Sequence, residues 1–156
     1  MSRKVAVLGA GPGGYMAAVR AARLGAEVTL VEEGNLGGVC LNWGCIPTKA
    51  MLTSAEVLER CREAARFGVK IQGPVSPDMA RMVERKDRIV QTQIKGIAGL
   101  LKQHGVSHVQ GRASFEQGGQ LIVHTVEAGR EPLEADRIIV AVGSSPLSVP
   151  AFPFAG

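Results

Sequence analysis

The chain has 156 residues, 46% hydrophobic and 21% charged, enough apolar material for one domain with a core and an ordinary soluble balance. Its net charge of +4, from 18 basic against 14 acidic residues with no long basic run, leaves no nucleic-acid footprint. No apolar run approaches the roughly 20 residues of a membrane span, and Met1-Ser2-Arg3-Lys4 leads straight into a strand-like run rather than a long apolar signal region; a cytoplasmic location without a membrane partner is expected.

Lys4-Val5-Ala6-Val7-Leu8 is a short run of β-formers that ends at Gly9-Ala10-Gly11-Pro12-Gly13-Gly14. Residues 15–24 then read as a helix closed by Gly25, and residues 27–32 as a second strand. The unit is β-α-β, which makes a parallel pair with a right-handed crossover. In such a unit Gly9 permits the tight turn, Gly11 lets the backbone approach a pyrophosphate, and Gly14 lets the helix pack close on the strand. Pro12 and Gly13 share that loop and count with the cofactor-binding residues. Glu32, about twenty residues further on at a strand end, offers a carboxylate to both ribose hydroxyls; Glu33 is the nearest rival for this role. A dinucleotide site is expected.

Residues 37–49 place Cys40 and Cys45 with four residues between them, directly after this unit. A close cysteine pair in a reducing compartment is more often catalytic or metal-binding than structural. Zinc would need about four ligands, usually with two residues between paired cysteines, and His104, His108 and His124 fall far downstream without ligand spacing. Residues 50–66 are helical by propensity and apolar spacing and end near Phe67-Gly68, so the pair lies at or just inside a helix start. That position, with Lys49 nearby, favours a thiolate. Cys61, farther along, reads as a small, partly buried residue.

A turn-rich segment with Gly73-Pro74 and Ser76-Pro77 precedes residues 78–103, one long amphipathic helix whose apolar stripe is a core or subunit-packing face. Gly105 stops it. Residues 106–115, 120–126 and 134–142 are strand-like runs separated by Gln117-Gly118-Gly119 and Glu127-Ala128-Gly129-Arg130, and read as a β-meander returning to the main sheet. The last run is continuous enough in apolar residues for a buried parallel strand, and it ends in Gly143-Ser144-Ser145-Pro146 beside the expected ligand crevice. Residues 149–156 are proline-broken and look like a linker, so the chain divides into a domain over 1–148 and a linker start.

The glycine motif, Glu32, the run from Gly38 to Lys49 and Ala141-Val142-Gly143-Ser144-Ser145-Pro146 together resemble the pyridine nucleotide-disulfide oxidoreductases. Leu41-Asn42 and Ile46-Pro47 lean toward the FAD-binding part of the dihydrolipoamide dehydrogenases over glutathione or mercuric reductases. The resemblance implies a Rossmann-like α/β fold, parallel sheet plus β-meander, incomplete relative to the family. It implies FAD held by Gly9, Gly11, Pro12, Gly13, Gly14, Glu32, Glu33, Gly38, Ala113, Ala141 and Gly143, with Lys49 beside the flavin. Cys40 would exchange with the substrate dithiol and Cys45 would stack on the isoalloxazine. Val142 stands where the family usually has Thr. By the same resemblance the electrons come from dihydrolipoamide, or the lipoyl domain of a 2-oxoacid dehydrogenase complex, and pass to NAD in a homodimer. The NAD-binding domain and the His-Glu acid/base pair would lie outside these residues, so the isolated chain is expected to lack turnover. The competing reading is a non-catalytic nucleotide-binding or dimerisation module, which has no need for the cysteine pair.

Overall fold

The computed structural model describes residues 2–125, 129–145, 147, 149 and 151. Val126, the Glu127-Ala128 half of one expected turn, Pro146 and most of the proline-broken tail lie outside the described residues.

β1 (Lys4–Leu8) runs into α1 (Pro12–Arg23) and then β2 (Glu27–Glu32), which pairs with β1 in parallel, Val7 opposite Leu30. Pro12 begins the helix at the position where a missing N–H costs nothing, and Arg20 and Arg23 lie in its last turn, where cations suit the helix dipole. α2 (Gly38–Asn42) and α3 (Cys45–Arg62) follow; α3 gives way to a 3-10 turn at Ala64–Phe67, stopped by Gly68 at φ +74°. Asp78 caps α4 (Met79–Gln103), its carboxylate accepting from the Arg81 N–H at 3.1 Å.

The stretch read as one strand from 106 to 115 is two. β3 (Ser107–Gln110) joins the parallel sheet beside β2, and β4 (Arg112–Phe115) starts a separate antiparallel sheet with β5 (Leu121–Thr125) and β6 (Gly129–Pro132). The break falls at Gly111, where a Cβ would lie 2.5 Å from His124 O. Only glycine lets the chain cross between sheets there. β6 occupies Gly129-Arg130, expected as part of a turn, because its backbone pairs with β5 and needs no apolar alternation of its own. β7 (Arg137–Val140) leaves the meander and pairs with β1 in parallel, giving the order β3-β2-β1-β7.

The parallel sheet is covered on both faces, which is why β1 is apolar from Val5 to Leu8. Val5 and Val7 face a cluster with Ala18, Leu30 and Leu101, built from α1 and the C-terminal half of α4; Ala6 and Leu8 face Val31, Leu121 and Val123 on the antiparallel side. Full burial of a side chain such as Leu101, 2% exposed, contributes about 1.5–3 kcal/mol. β7 is not the buried strand expected. It is an edge, with Ile139 36% and Val140 61% exposed. An apolar run records what a strand can bury, whereas the number of strands beside it is a tertiary property.

The stripe of α4 is divided: Ile94, Ile97 and Leu100 pack on the core, and the N-terminal half lies along α3, where the Arg85 guanidinium donates to Ala50 O at 2.9 Å.

His108 on β3 sits opposite Leu30. Burial pushes its imidazole below the ordinary histidine value, and the Glu32 carboxylate pulls the other way. The unfolded chain therefore takes up a proton that the folded chain resists, so this contribution to stability is full above pH ~6.5 and is lost as pH falls below it. Denaturant midpoints measured between about pH 7.5 and 5 should fall more steeply for the wild type than for His108→Gln; parallel curves would show that His108 carries none of the acid sensitivity.

Candidate functional site

The parallel strands end on one side of the molecule, where the glycine loop after β1 lies against the end of β7: a Cβ on Gly9 would collide with Ala141 O. A hydrogen bond from Ala141 N–H to Leu8 O (2.8 Å) and another from Gly9 N–H to Val31 O (2.8 Å) tie the three strand ends together. Gly14 lies so close beneath the loop that a Cβ would collide with Gly9 O, so the helix can approach the strand this closely only without a side chain.

At the N-terminus of α1, Gly11 is the cap, no side chain caps it, and no acidic residue occupies the first turn. Its free N–H groups and partial positive charge are therefore open to an anion, with no competing carboxylate on the helix. Glu32 is fixed at the rim: Oε2 accepts from Ala10 N–H at 2.6 Å and Oε1 from Gly34 N–H at 2.7 Å. Each oxygen keeps a lone pair for a further donor. Beside it lies a cleft of about 310 Å³ lined by Gly9, Glu32, Glu33, Gly111, Arg112, Ala113 and Val142. Four of these, Gly9, Glu32, Glu33 and Ala113, were expected as cofactor-binding from the sequence.

Cys40 and Cys45 form a disulfide, with Cα atoms 4.8 Å apart, inside the normal range. Cys40 lies on α2; Gly44 breaks the chain, and Cys45 is the first residue of α3. Cys45 is exposed and Cys40 half-buried. The disulfide segment presses on the glycine loop: a Cβ on Gly38 would lie 2.7 Å from Gly11 Cα, and Gly37 N–H donates to Ala10 O at 2.9 Å. Asn42, between the cysteines, pins the segment by donating to Leu36 O (3.2 Å) and Gly38 O (2.9 Å).

Not every expected residue meets in the cleft. Gly11, Pro12 and Gly13 stand at the α1 N-terminus, Ala141 and the exposed Gly143 at the end of β7, and Gly38 on the disulfide segment. Lys49 is exposed one turn beyond Cys45, apart from the cleft lining.

The family profile for Pyridine nucleotide-disulphide oxidoreductase matches residues 3–154. The chain belongs to this family. Pyridine nucleotide-disulphide oxidoreductases among its relatives include the dihydrolipoyl dehydrogenases of Bacillus subtilis, 42% identical over 97% of this chain, and of Halobacterium salinarum, 46% identical over 96%. The chain spans about a third of their length, 33% and 32%. Among solved structures, LpdA from Mycobacterium tuberculosis superposes with a TM-score of 0.84 over 97% of the chain and 34% of its own at 22% identity, a likeness of fold. The flavoprotein disulfide reductase RclA from Escherichia coli superposes with a TM-score of 0.77 at 25% identity, over 96% of the chain and 30% of its own.

Within the pyridine nucleotide-disulphide oxidoreductase frame, sequence reading missed Gly111 and Arg112 as cleft residues and Asn42 as the pin of the disulfide segment. Arg112 Nε lies 4.0 Å from Glu33 Oε2, so Glu33 has a cationic neighbour. A glycine splitting an otherwise continuous strand pattern was the available signal for Gly111. An amide side chain four residues after Gly38 was the signal for Asn42. Among the described residues no helix is long and apolar enough to cross a membrane.

Proposed function

We propose that this chain is the FAD-binding, disulfide-carrying segment of a flavoenzyme that oxidises dihydrolipoamide with NAD as acceptor. The observation that carries the reading is the contact between Gly38 and Gly11, which couples the Cys40–Cys45 disulfide to the loop at the uncapped N-terminus of α1. A phosphate-binding loop and a redox disulfide pressed together suit one cofactor that spans both. The residues fit FAD: Gly11, Pro12, Gly13 and Gly14 would meet the pyrophosphate, Glu32 the ribose, and Glu33, Ala113, Ala141 and Gly143 the remaining walls of the crevice. Flavin, when bound, accepts an electron pair from the reduced cysteines and hands it to a nicotinamide.

The chain's own chemistry is thiol-disulfide exchange. A substrate thiolate attacks Cys40 Sγ, the Cys40–Cys45 bond breaks, and Cys45 leaves as a thiolate at the N-terminus of α3, where the helix dipole stabilises it. The second substrate thiolate then attacks its own sulfur in the mixed disulfide, which releases the oxidised ring and the Cys40 thiolate. Exposure alone would favour attack at Cys45. A ring stacked on Cys45 would cover the more open sulfur and leave Cys40 to the substrate. Lys49, one turn along α3, adds positive charge on the same side. Residues 1–148 form the cofactor-binding unit in this reading and 149–156 begin a linker; the protein acts in the cytoplasm, as a homodimer, on free dihydrolipoamide or a lipoyl domain.

A full-length protein carrying this segment should oxidise dihydrolipoamide with NAD, and the purified 156-residue chain should show no turnover. Turnover by the isolated chain would contradict the assignment, and so would a full-length protein that prefers glutathione disulfide as substrate.

A further inference from the structure

Glu32 closes β2, and its carboxylate has a support that the glycine motif does not supply. In the parallel pairing of β2 with β3, Glu32 lies opposite Gln110, and Gly111 N–H donates to Glu32 O at 2.9 Å. Residues opposite one another in such a pair send their side chains to the same face of the sheet. The Gln110 amide bonds to the turn that follows Glu32: Nε2 donates to Glu33 O at 3.1 Å and to Gly34 O at 3.2 Å. Two carbonyl acceptors fix which end of the amide faces the turn, since only the nitrogen can donate.

Glu33 O and Gly34 N–H belong to one planar peptide unit. Gln110 holds that unit by its oxygen, and the N–H of the same unit donates to Glu32 Oε1 at 2.7 Å. The relay therefore runs from the end of β3, through one peptide plane, to the carboxylate at the rim of the cleft. Ala10 N–H holds the other oxygen, Oε2, at 2.6 Å. With both oxygens bound, the carboxylate loses its rotation about the last side-chain bond, which is otherwise a broad, two-fold torsion. Glu33 is placed differently: its carboxylate lies 4.0 Å from Arg112 Nε, and 69% of the side chain is exposed.

Resting on the proposed function, we infer that Gln110 is a positioning residue for cofactor binding: through the Glu33–Gly34 peptide it holds the Glu32 carboxylate where the adenosine ribose hydroxyls meet it. Gln110 acts through Glu32 rather than on the nucleotide. A carboxylate already aimed gives up less conformational freedom when the ribose binds than one that must first be ordered. The same frame selects Glu32 over Glu33 as the ribose partner.

The test measures nucleotide binding to the 156-residue chain by calorimetry, with ADP, the adenosine half of FAD, and 2′,3′-dideoxy-ADP as the two probes. They differ only in the hydroxyls that Glu32 would accept, so their affinity ratio isolates the ribose contact. The wild type should prefer ADP about tenfold. Gln110→Met, which keeps the length of the side chain and removes the donor, should shrink that preference about threefold to fivefold and leave dideoxy-ADP binding unchanged. In a Glu32→Gln background the same substitution should change neither affinity. Amide exchange followed by NMR supplies a readout without nucleotide: Gly34 should exchange about tenfold faster in Gln110→Met, while Val7, on the interior strand β1, keeps its protection. Gln110→Lys, whose ammonium can donate to both carbonyls, should restore the protection of Gly34. Equal weakening of both nucleotides, an undiminished preference for ADP, or an unchanged Gly34 exchange rate in Gln110→Met overturns the inference. A wild type that binds both nucleotides equally, or neither, sinks the ribose reading in the proposed function instead, and the Gly34 exchange rates still decide whether Gln110 sets the peptide.

Discussion

Cys40→Ser, made in a full-length protein carrying this segment, should abolish dihydrolipoamide oxidation while flavin stays bound. The two results separate because the disulfide segment meets the cofactor loop at Gly37 and Gly38 rather than at the cysteine sulfurs. Gly38 meets Gly11, and Gly37 N–H meets Ala10 O, so a serine hydroxyl at position 40 leaves that contact in place. Turnover fails because a hydroxyl cannot take part in disulfide exchange. The disulfide joins residues only five apart in sequence, so its loss removes about 2 kcal/mol of unfolded-state restraint, too little to unfold the domain. Cys45→Ser should fail at a different point: given oxidised lipoamide, its Cys40 thiolate opens the ring disulfide, forming a mixed disulfide that mass spectrometry can detect and leaving the second ring sulfur as a thiolate. Steady-state rates and visible flavin absorbance measured on both variants decide the matter. Near-normal turnover in either variant would remove the redox assignment, and a mixed disulfide forming readily at Cys45 in Cys40→Ser but not at Cys40 in Cys45→Ser would reverse the two roles.

Gly14→Val should have the largest effect on the cofactor site. A Cβ there already collides with Gly9 O, and the obstacle is backbone in the glycine turn rather than a side chain that can rotate away. Accommodation requires α1 to move off β1, which disturbs the packing of Ala18 and Val19 against Val7 and carries the uncapped helix N-terminus out of place. Overpacking of this kind costs about 3 kcal/mol, which lowers Tm by roughly 6–12 °C in a chain of this size. Calorimetry reads the stability loss, and a flavin titration reads the site. Tight FAD binding by a variant that remains folded would show that the close helix–strand contact does not define the cofactor loop.

What could be read locally was the βαβ unit, because each of its signals lies within one short window. Lys4–Leu8 carries its own apolar run, Pro12 its own start signal and Gly25 its own stop. The cysteine pair was legible for the same reason, since four intervening residues fix its reach whatever the rest of the chain does. Of the three runs between 106 and 142, the middle one is a meander strand and the last returns to the parallel sheet as expected, but the split of the first and the edge position of the last were not legible, because strand propensity does not name a partner. Gly111 divides one run between two sheets only because His124 O is already there, and Arg137–Val140 joins β1 at a separation of more than a hundred residues. Exposure of β7 and the split stripe of α4 belong to the same class.

The amino-acid sequence by itself set out which residues are expected to touch phosphate, ribose and dithiol in the proposed function, because those expectations follow from glycine's missing side chain, a carboxylate at a strand end and two sulfurs a few residues apart. Only the tertiary structure brought the glycine loop, Glu32 and the disulfide segment to one end of the sheet. The meeting of Gly11 with Gly38 and the cleft that gathers Glu32 with Gly111, Arg112 and Ala113 both bring together elements whose separation in sequence leaves no local trace. Such contacts are set by the burial of two sheet faces at once, and that is a property of the whole packed core.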